Sequence, residues 1–265
     1  MDLGGVSLSE LRRRYLRGAA AVPPRVIAGL ARDPRAGARA LSSRLARMRE
    51  AERWERRRLA ALSALERRLH RQGIERIAGV DEVGMGPLAG PVVAAAVVLP
   101  ARSMLPGLDD SKRLTAELRT RLDVEIRKVA VAIGVGWADP AEIDQINIFQ
   151  AGLVAMRRAV EALPEPADRL VVDGRAVPGV RVPQDRVVGG DRRVAAIAAA
   201  SIVAKVYRDS WMRDLDARYP GYGFWRNAGY ATPDHLRALA LLGPCPAHRT
   251  SYAPVRGAGP MASRA

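Results

Sequence analysis

An α/β domain built around a mixed central sheet flanked by helices is predicted by three features of the sequence. Short apolar runs at 77–82, 92–99 and 169–173 have the length of buried strands. The stretches at 114–129 and 141–163 carry apolar residues at three-to-four-residue spacing, and the two kinds of segment alternate along the chain. Residues 1–76, by contrast, are rich in arginine and poor in strand-like runs. The expected divisions are a basic, mainly helical extension over 1–72, the main domain over 73–256 with a C-terminal helical segment on its substrate side, and a flexible tail over 257–265. A chain of 265 residues accommodates this plan, since domains cluster near ~100 to 150 residues.

The elements follow in order. Pro23 and Pro24 break the first segment, and Asp33-Pro34 makes a second break, because a residue before proline is pushed out of the helical region. From 38 to 72 there is neither Pro nor Gly, and Leu41, Leu45 and Met48, then Leu59, Leu62, Leu65 and Leu69, recur at helical spacing. The intervening 49–58 stretch is polar apart from Ala51 and Trp54, so one or two solvated helices with a thin apolar stripe are expected. At Ile77 the texture changes to Ile77-Ala78-Gly79-Val80-Asp81-Glu82, then a Gly/Pro-rich turn, then the run at 92–99. A helix over 114–129, a strand over 129–137 and a helix over 141–163 come next. A strand then ends in Asp173-Gly174, a short strand covers Val187-Val188, and a long alanine-rich, tightly packed helix covers 195–214.

Composition narrows the function classes. Hydrophobic residues make up 48% and charged residues 27%, an ordinary globular mix. Cys245 is the single cysteine, which excludes an internal disulfide scaffold and fits a reducing compartment, so a cytoplasmic chain is expected. No apolar run approaches the ~18 residues of a membrane span. The chain carries 43 basic against 28 acidic residues, a net charge of +15, and only Lys112, Lys128 and Lys205 are lysines. Residues 1–76 hold 19 arginines against 8 acids, or +11 of that total. Such a surplus favours a polyanionic partner, nucleic acid first.

Four acids stand where an α/β sheet gathers them: Asp81 and Glu82 at the end of one apolar run, Asp173 at the end of another, and Asp191 just before a helix. Carboxylates without His or Cys partners make a hard-oxygen site suited to Mg²⁺ or Mn²⁺. Their mutual repulsion also calls for a divalent ion. Neighbours on a strand point to opposite faces, so Asp81 and Glu82 share a site only if a strand end or a bulge intervenes at Glu82. The glycines of the 84–90 loop lack the spacing of a dinucleotide fingerprint and instead admit close approach of backbone amides to a ligand. Trp54 and Trp225 are expected at a core or rim, and Cys245 has no visible catalytic partner. His235 and His248 are expected to be structural, since neither sits in a ligand-like pair.

Taken in order, these residues resemble a known family. Ile77 through Ala96, with Asp81-Glu82-Val83-Gly84-Met85-Gly86-Pro87-Leu88-Ala89-Gly90-Pro91 at its centre, is similar to the first signature of bacterial ribonuclease HII. Asp110-Ser111-Lys112, Ile143-Asp144-Gln145-Ile146-Asn147-Ile148 followed by Ala155-Met156, Val172-Asp173-Gly174, Gly190-Asp191, Ala198 through Asp209, Tyr219 through Phe224, Gly229-Tyr230 and His248-Arg249 follow in the family's order. The resemblance spans about 77 to 255, and the basic extension is similar to one present in some members.

The resemblance implies a ribonuclease H-like fold. It also implies a metal-dependent endonuclease that hydrolyses the RNA strand of RNA:DNA hybrids and cuts 5′ to ribonucleotides embedded in duplex DNA, leaving 5′-phosphate and 3′-hydroxyl ends. Asp81, Glu82, Asp173 and Asp191 match the four metal-site acids, for two Mn²⁺ or Mg²⁺ ions. Gly84, Met85 and Gly86 match the segment that reads the ribose 2′-OH through backbone, and Tyr230 matches the tyrosine that packs on the sugar. Lys112 and Ser201 are further substrate-side candidates. A monomer is implied. Met85 stands where the family has Arg or Lys, and Asn227-Ala228 where it has His-Lys, so positive charge is removed from the substrate face. The +11 extension is expected to restore part of that attraction. The alternative reading is a non-catalytic hybrid-binding protein on the same fold.

Overall fold

The computed structural model describes residues 6–16 and 22–258, so most of the expected tail lies outside the described residues. The chain divides into two compact units, Met1–Ala60 and Ala61–Ala265.

In the first unit the helices are α1 (Leu8–Leu16), α2 (Pro24–Ala31) and most of α3 (Ala36–Leu62). Helix α2 begins on Pro24, where a missing N–H removes no helical bond. In the turn that follows, the Asp33 carboxylate accepts bonds from the Arg35 backbone N–H and Nε, both at 2.9 Å. Leu11, Val26, Leu30, Ala38, Leu41 and Leu45 form a small core of their own. The expected apolar stripe is therefore buried at Leu41 and Leu45, whereas Trp54 in the polar gap is exposed. A break at Ser63 ends α3, and α4 (Ala64–Arg71) follows, so the 38–72 stretch holds two helices.

The second unit is built on a five-stranded sheet of order β3-β2-β1-β4-β5: β1 (Ile77–Val83), β2 (Val92–Val98), β3 (Ala132–Ala138), β4 (Arg169–Asp173) and β5 (Gln184–Val187). The first three strands pair antiparallel, and β4 and β5 join parallel, which makes the sheet mixed. Every residue of β2 is buried because helices cover both faces, which is why its sequence reads as an unbroken apolar run. On one face packs α6 (Pro140–Glu161), whose Ala151, Ala155, Met156 and Ala159 meet Ala78, Val80, Val92 and Ala94. On the other lies α7 (Ala195–Arg218), with α5 (Ala116–Val129) against it.

Strand β3 begins three residues later than predicted because α5 runs on through Val129, and Val188 lies beyond β5, 77% exposed. Helix α6 is interrupted at Asn147, whose φ of 66° is left-handed. The Asn147 side chain caps the second half by accepting from the Gln150 N–H at 3.1 Å. The first half is latched to the tail, since the Asp144 carboxylate accepts four bonds of 2.6 to 2.9 Å from the backbone and hydroxyls of Thr250 and Ser251. The start of α7 has no cap of its own; Glu66 of α4 supplies one, accepting from the Ala196 N–H at 2.9 Å.

Gly79 lets α7 lie directly on β1: a Cβ there would stand 2.1 Å from the Ala196 carbonyl carbon. Gly79→Ala is expected to destabilise the unit by about 3 kcal/mol, since backbone rather than a flexible side chain would have to move. A thermal melt checks this, and an unchanged midpoint would contradict it.

The tail forms α8 (Phe224–Asn227), α9 (Pro233–Leu242) and α10 (Ala253–Arg256). Here the sequence reading needs correction, because His235 and His248 do form a pair, with their Nε2 atoms 3.1 Å apart. Cys245 Sγ stands 3.2 Å from His248 Nδ1. The pair is nevertheless structural, being buried against Phe224. Burial, and then the charge of His235, push the His248 pKa down to about 4. An unfolded imidazole takes its proton near pH ~6.5. The unfolded chain thus binds more protons between these values, and this pair is expected to withdraw stability as pH falls from ~6.5 toward 4. An NMR titration checks it: His248 should change near pH 4, and a midpoint above ~6 would contradict the neutral pair. Among the described residues no helix is long and apolar enough to cross a membrane.

Candidate active site

The ladder between β1 and β4 ends at Val80 paired with Val172, so Asp81 and Asp173 lie just beyond it, Asp173 as the last residue of β4 and Asp81 two residues before the end of β1. Strand β1 continues against β2 in regular register through Glu82↔Ala94 and Val83↔Val93. The strand end or bulge expected at Glu82 is absent. Asp81 instead turns toward α7, where it lies beside Ser201, and Glu82 turns toward α6. Both acids lie in the field of Asp173. They meet around the free end of β4, each from its own face of the sheet.

Asp191 arrives on the 3₁₀ turn Gly190–Arg192, and the Gly190 N–H donates to Asp173 Oδ1 at 2.8 Å. Asp81 and Asp191 are each only 4% exposed. Burial, then the charges of Glu82 and Asp173, hold the Asp81 pKa well above the usual carboxylate range. Burial and the charge of Asp173 raise Glu82, and burial and the charge of Asp110 raise Asp191. Among the described residues no three His, Cys, Asp or Glu side chains converge on one point as metal ligands. The four acids are neighbours without forming a closed cage.

Lys112 sits beside them, its Nζ 3.6 Å from Asp191 Oδ2. Burial lowers its pKa, but the charges of Asp191, Asp110 and Asp81 outweigh that and raise it. Asp110 fixes this arrangement: Oδ1 accepts from the Lys112 N–H, and Oδ2 from Nε and Nη2 of Arg192, at 2.9 to 3.0 Å. The turn carrying Lys112 is thereby fastened to the turn carrying Asp191. Ser201 bonds to Ser111 Oγ at 2.8 Å, joining α7 to the same assembly.

The 84–90 loop is held by two arginines that are fully buried and bond chiefly to carbonyl oxygens. Arg208 of α7 donates to Pro91 O, Ala89 O and Ala228 O at 2.9 to 3.1 Å. Arg249 donates to Gly90 O, Met85 O and Gly84 O at 2.6 to 3.2 Å, and to the Tyr252 hydroxyl at 3.1 Å. Gly84 is required here twice over, by its φ of +90° and because a Cβ would stand 2.4 Å from Arg208 Nε. Tyr230 joins the loop from the tail: Leu88 N–H donates to Gly229 O at 2.8 Å, and the half-exposed Tyr230 ring lies beside Gly86.

Met85 packs against α6 at Gly152 and lines a cleft of about 270 Å³ with Glu82, Phe149, Asp173 and Arg175. The Arg175 guanidinium lies 4.1 Å from the centroid of the Phe149 ring and lowers the Glu82 pKa in part. Positive charge therefore reaches this side of the site from the end of β4 rather than from position 85. Asn227 is spent within the tail, donating to Tyr222 O at 2.7 Å and accepting from Gly229 N–H at 2.8 Å.

All ten candidate residues fall within this one region of the second unit. Sequence reasoning missed Arg175, Arg192, Arg208 and Arg249 as contributors. Arg208 had a legible signal, since it lies seven residues, or two helical turns, after Ser201 and so on the same face of α7. Arg249 had one as well, as part of the His248-Arg249 motif of the resemblance, whereas for Arg175 and Arg192 an arginine in a chain this rich in arginine carries none.

A family profile for Ribonuclease HII matches residues 78–255. The chain is 52% identical over 253 residues to the Ribonuclease HII of Myxococcus xanthus, covering 95% of this chain and 86% of that protein. To the Ribonuclease HII of Geobacillus thermodenitrificans it is 53% identical over 229 residues, covering 86% and 88%. Among solved structures, the ribonuclease H2 from Pyrococcus horikoshii superposes with a TM-score of 0.59 at 24% identity over 68% of this chain and 95% of that one, a likeness of fold.

Proposed function

The chain belongs to the ribonuclease HII family and is an endonuclease; from that premise we propose that it hydrolyses the RNA strand of RNA:DNA hybrids and cuts 5′ to single ribonucleotides in duplex DNA. The observation that carries this reading is the gathering of Asp81, Glu82, Asp173 and Asp191 around the end of β4, beside a loop whose carbonyls are clamped from behind.

The residues fit divalent metal. The donors are all oxygens, Glu82 Oε2 is buried with no hydrogen-bond partner, and like charge raises Asp81. Bound Mg²⁺ or Mn²⁺, two ions in the reading proposed here, would supply charge stabilisation at the scissile phosphate. Asp81, Glu82, Asp173 and Asp191 would hold those ions, with Ser201 beside Asp81 on the substrate side. Gly84, Met85 and Gly86 offer backbone to the ribose 2′-OH, the only group that separates RNA from DNA at that position. Tyr230 packs on the adjoining sugar, and Lys112 contacts phosphate. The protein acts as a monomer, in the cytoplasm.

Cleavage of a DNA duplex carrying one ribonucleotide tests this, with and without Mg²⁺ or Mn²⁺ and beside an all-DNA duplex. Metal-dependent cutting only 5′ to the ribonucleotide, leaving a 3′-hydroxyl, is the expected result. Binding without cutting under either metal would sink the proposal.

A further inference from the structure

A cleft of about 780 Å³ lies outside the acid cluster, between α4 and the segment that runs from β5 into α7. Four arginines line it: Arg68 and Arg71 from α4, and Arg186 and Arg193 from the other wall. All four are exposed. Among the described residues Asp185 is the only carboxylate of its lining, and it is drawn toward Arg169 at 3.8 Å. The guanidinium of Arg193 makes one long bond, at 3.3 Å, to Val188 O, which leaves its remaining donors free to face a ligand.

Position gives this basic cleft its meaning. Arg193 is two residues from Asp191, so their Cα atoms are at most about 7 Å apart, and the cleft opens within a few base-pair steps of the acids. The turn that carries Asp191 thus forms the end of one wall. Four forked donors with a single, already engaged carboxylate match a run of phosphates, which guanidinium recognises in two-pronged fashion. The α4 wall is fixed to the start of α7 by the Glu66 bond to Ala196 N–H, so the two pairs of arginines keep their spacing.

We propose that this cleft is a second nucleic-acid contact, which grips the phosphate backbone of the substrate duplex beside the cleavage point through Arg68, Arg71, Arg186 and Arg193. The proposal rests on the functional reading above for the identity of the duplex. It assigns part of the chain's basic surplus to a defined surface.

The test uses the full chain and a duplex of about 20 base pairs with one ribonucleotide, bound in EDTA so that nothing is cut, over a series of salt concentrations. The variants are R68A/R71A and R186A/R193A, each beside its arginine-to-lysine counterpart, with a thermal melt for each. Each alanine pair should weaken binding roughly tenfold and flatten the log–log salt slope by about 2, at ~0.9 for each phosphate no longer neutralised. The lysine pairs should keep most of the slope, because a point charge still neutralises phosphate. An unchanged slope in both alanine pairs would overturn the proposal, as would lysine pairs that lose as much as alanine pairs. Failure of the functional reading would look different: wild-type protein would bind this duplex with its full salt slope yet leave the ribonucleotide uncut when metal is added.

Discussion

Asp81→Asn is expected to abolish cleavage, by roughly 10³-fold or more, and at the same time to make the metal-free protein more stable. The carboxylate is buried, and Glu82, Asp173 and Asp191 all raise its pKa. A folded-state pKa above the unfolded one means that the folded chain holds its proton more tightly. The associated stability is present below the unfolded pKa and is lost as pH rises through the folded one. Near neutral pH the ionised group is therefore a burden on the fold, and an amide of the same shape relieves it. A gain of about 1 kcal/mol would appear as a rise of roughly 2–4 °C in Tm for a domain of this size. Added Mg²⁺ or Mn²⁺ should raise the wild-type Tm by ligand linkage and the Asn variant's much less. Melts in EDTA and in metal, together with initial rates, check all three statements. An Asn variant that melts lower in EDTA, or keeps a tenth of the activity, would contradict them.

Arg249→Leu is expected to lose about 3–5 kcal/mol of stability and most of the affinity for ribonucleotide-containing substrate. The side chain is fully buried and makes four hydrogen bonds, three of them to carbonyls of the 84–90 loop. Leucine fills the space but leaves the oxygens of Gly84, Met85 and Gly90 without a donor, and buried acceptors without partners are expensive. Tm should fall by roughly 10 °C. Arg249→Lys should fall between the two, since an ammonium cannot span three carbonyls set for a planar fork. The informative ratio is KM against kcat: Arg249 touches the loop and none of the four acids, so the lysine variant should raise KM more than it lowers kcat. A lysine variant with intact KM and depressed kcat would mean that the loop does not position substrate.

The parts of this molecule legible in its sequence are those governed by local periodicity. Strands β1, β2 and β4 are legible because both faces of the sheet are covered, so burial writes itself as continuous apolar runs. Asp81, Glu82 and Asp173 are legible because a carboxylate closing such a run has few bland explanations, and Asp191 because it joins them just before a helix, although the roles of Gly84, Gly86 and Tyr230 come only from family resemblance. What stays hidden depends on bonds between segments distant in sequence. Asp81 and Glu82 share a site because β4 is shorter than β1, a fact of pairing that neither strand contains. Cross-chain bonds such as Glu66 to Ala196, or Arg249 to Gly84, have no period at all. Cys245 and His248 lie three residues apart, but His235 stands thirteen residues before His248, and their association requires the tail to fold back on itself.

The two buried arginines have an electrostatic consequence for the residue at position 85. Arg249 draws the carbonyl oxygens of Gly84 and Met85 inward, toward the protein, while Arg208 holds the far end of the loop through Ala89 O. Each peptide unit is a dipole, so fixing its negative end inside turns its amide end outward and gives that surface a partial positive charge. This attraction for a phosphodiester is made of main chain and remains whatever side chain position 85 carries. A methionine there removes a formal charge from the substrate face while leaving the polarity of the loop intact.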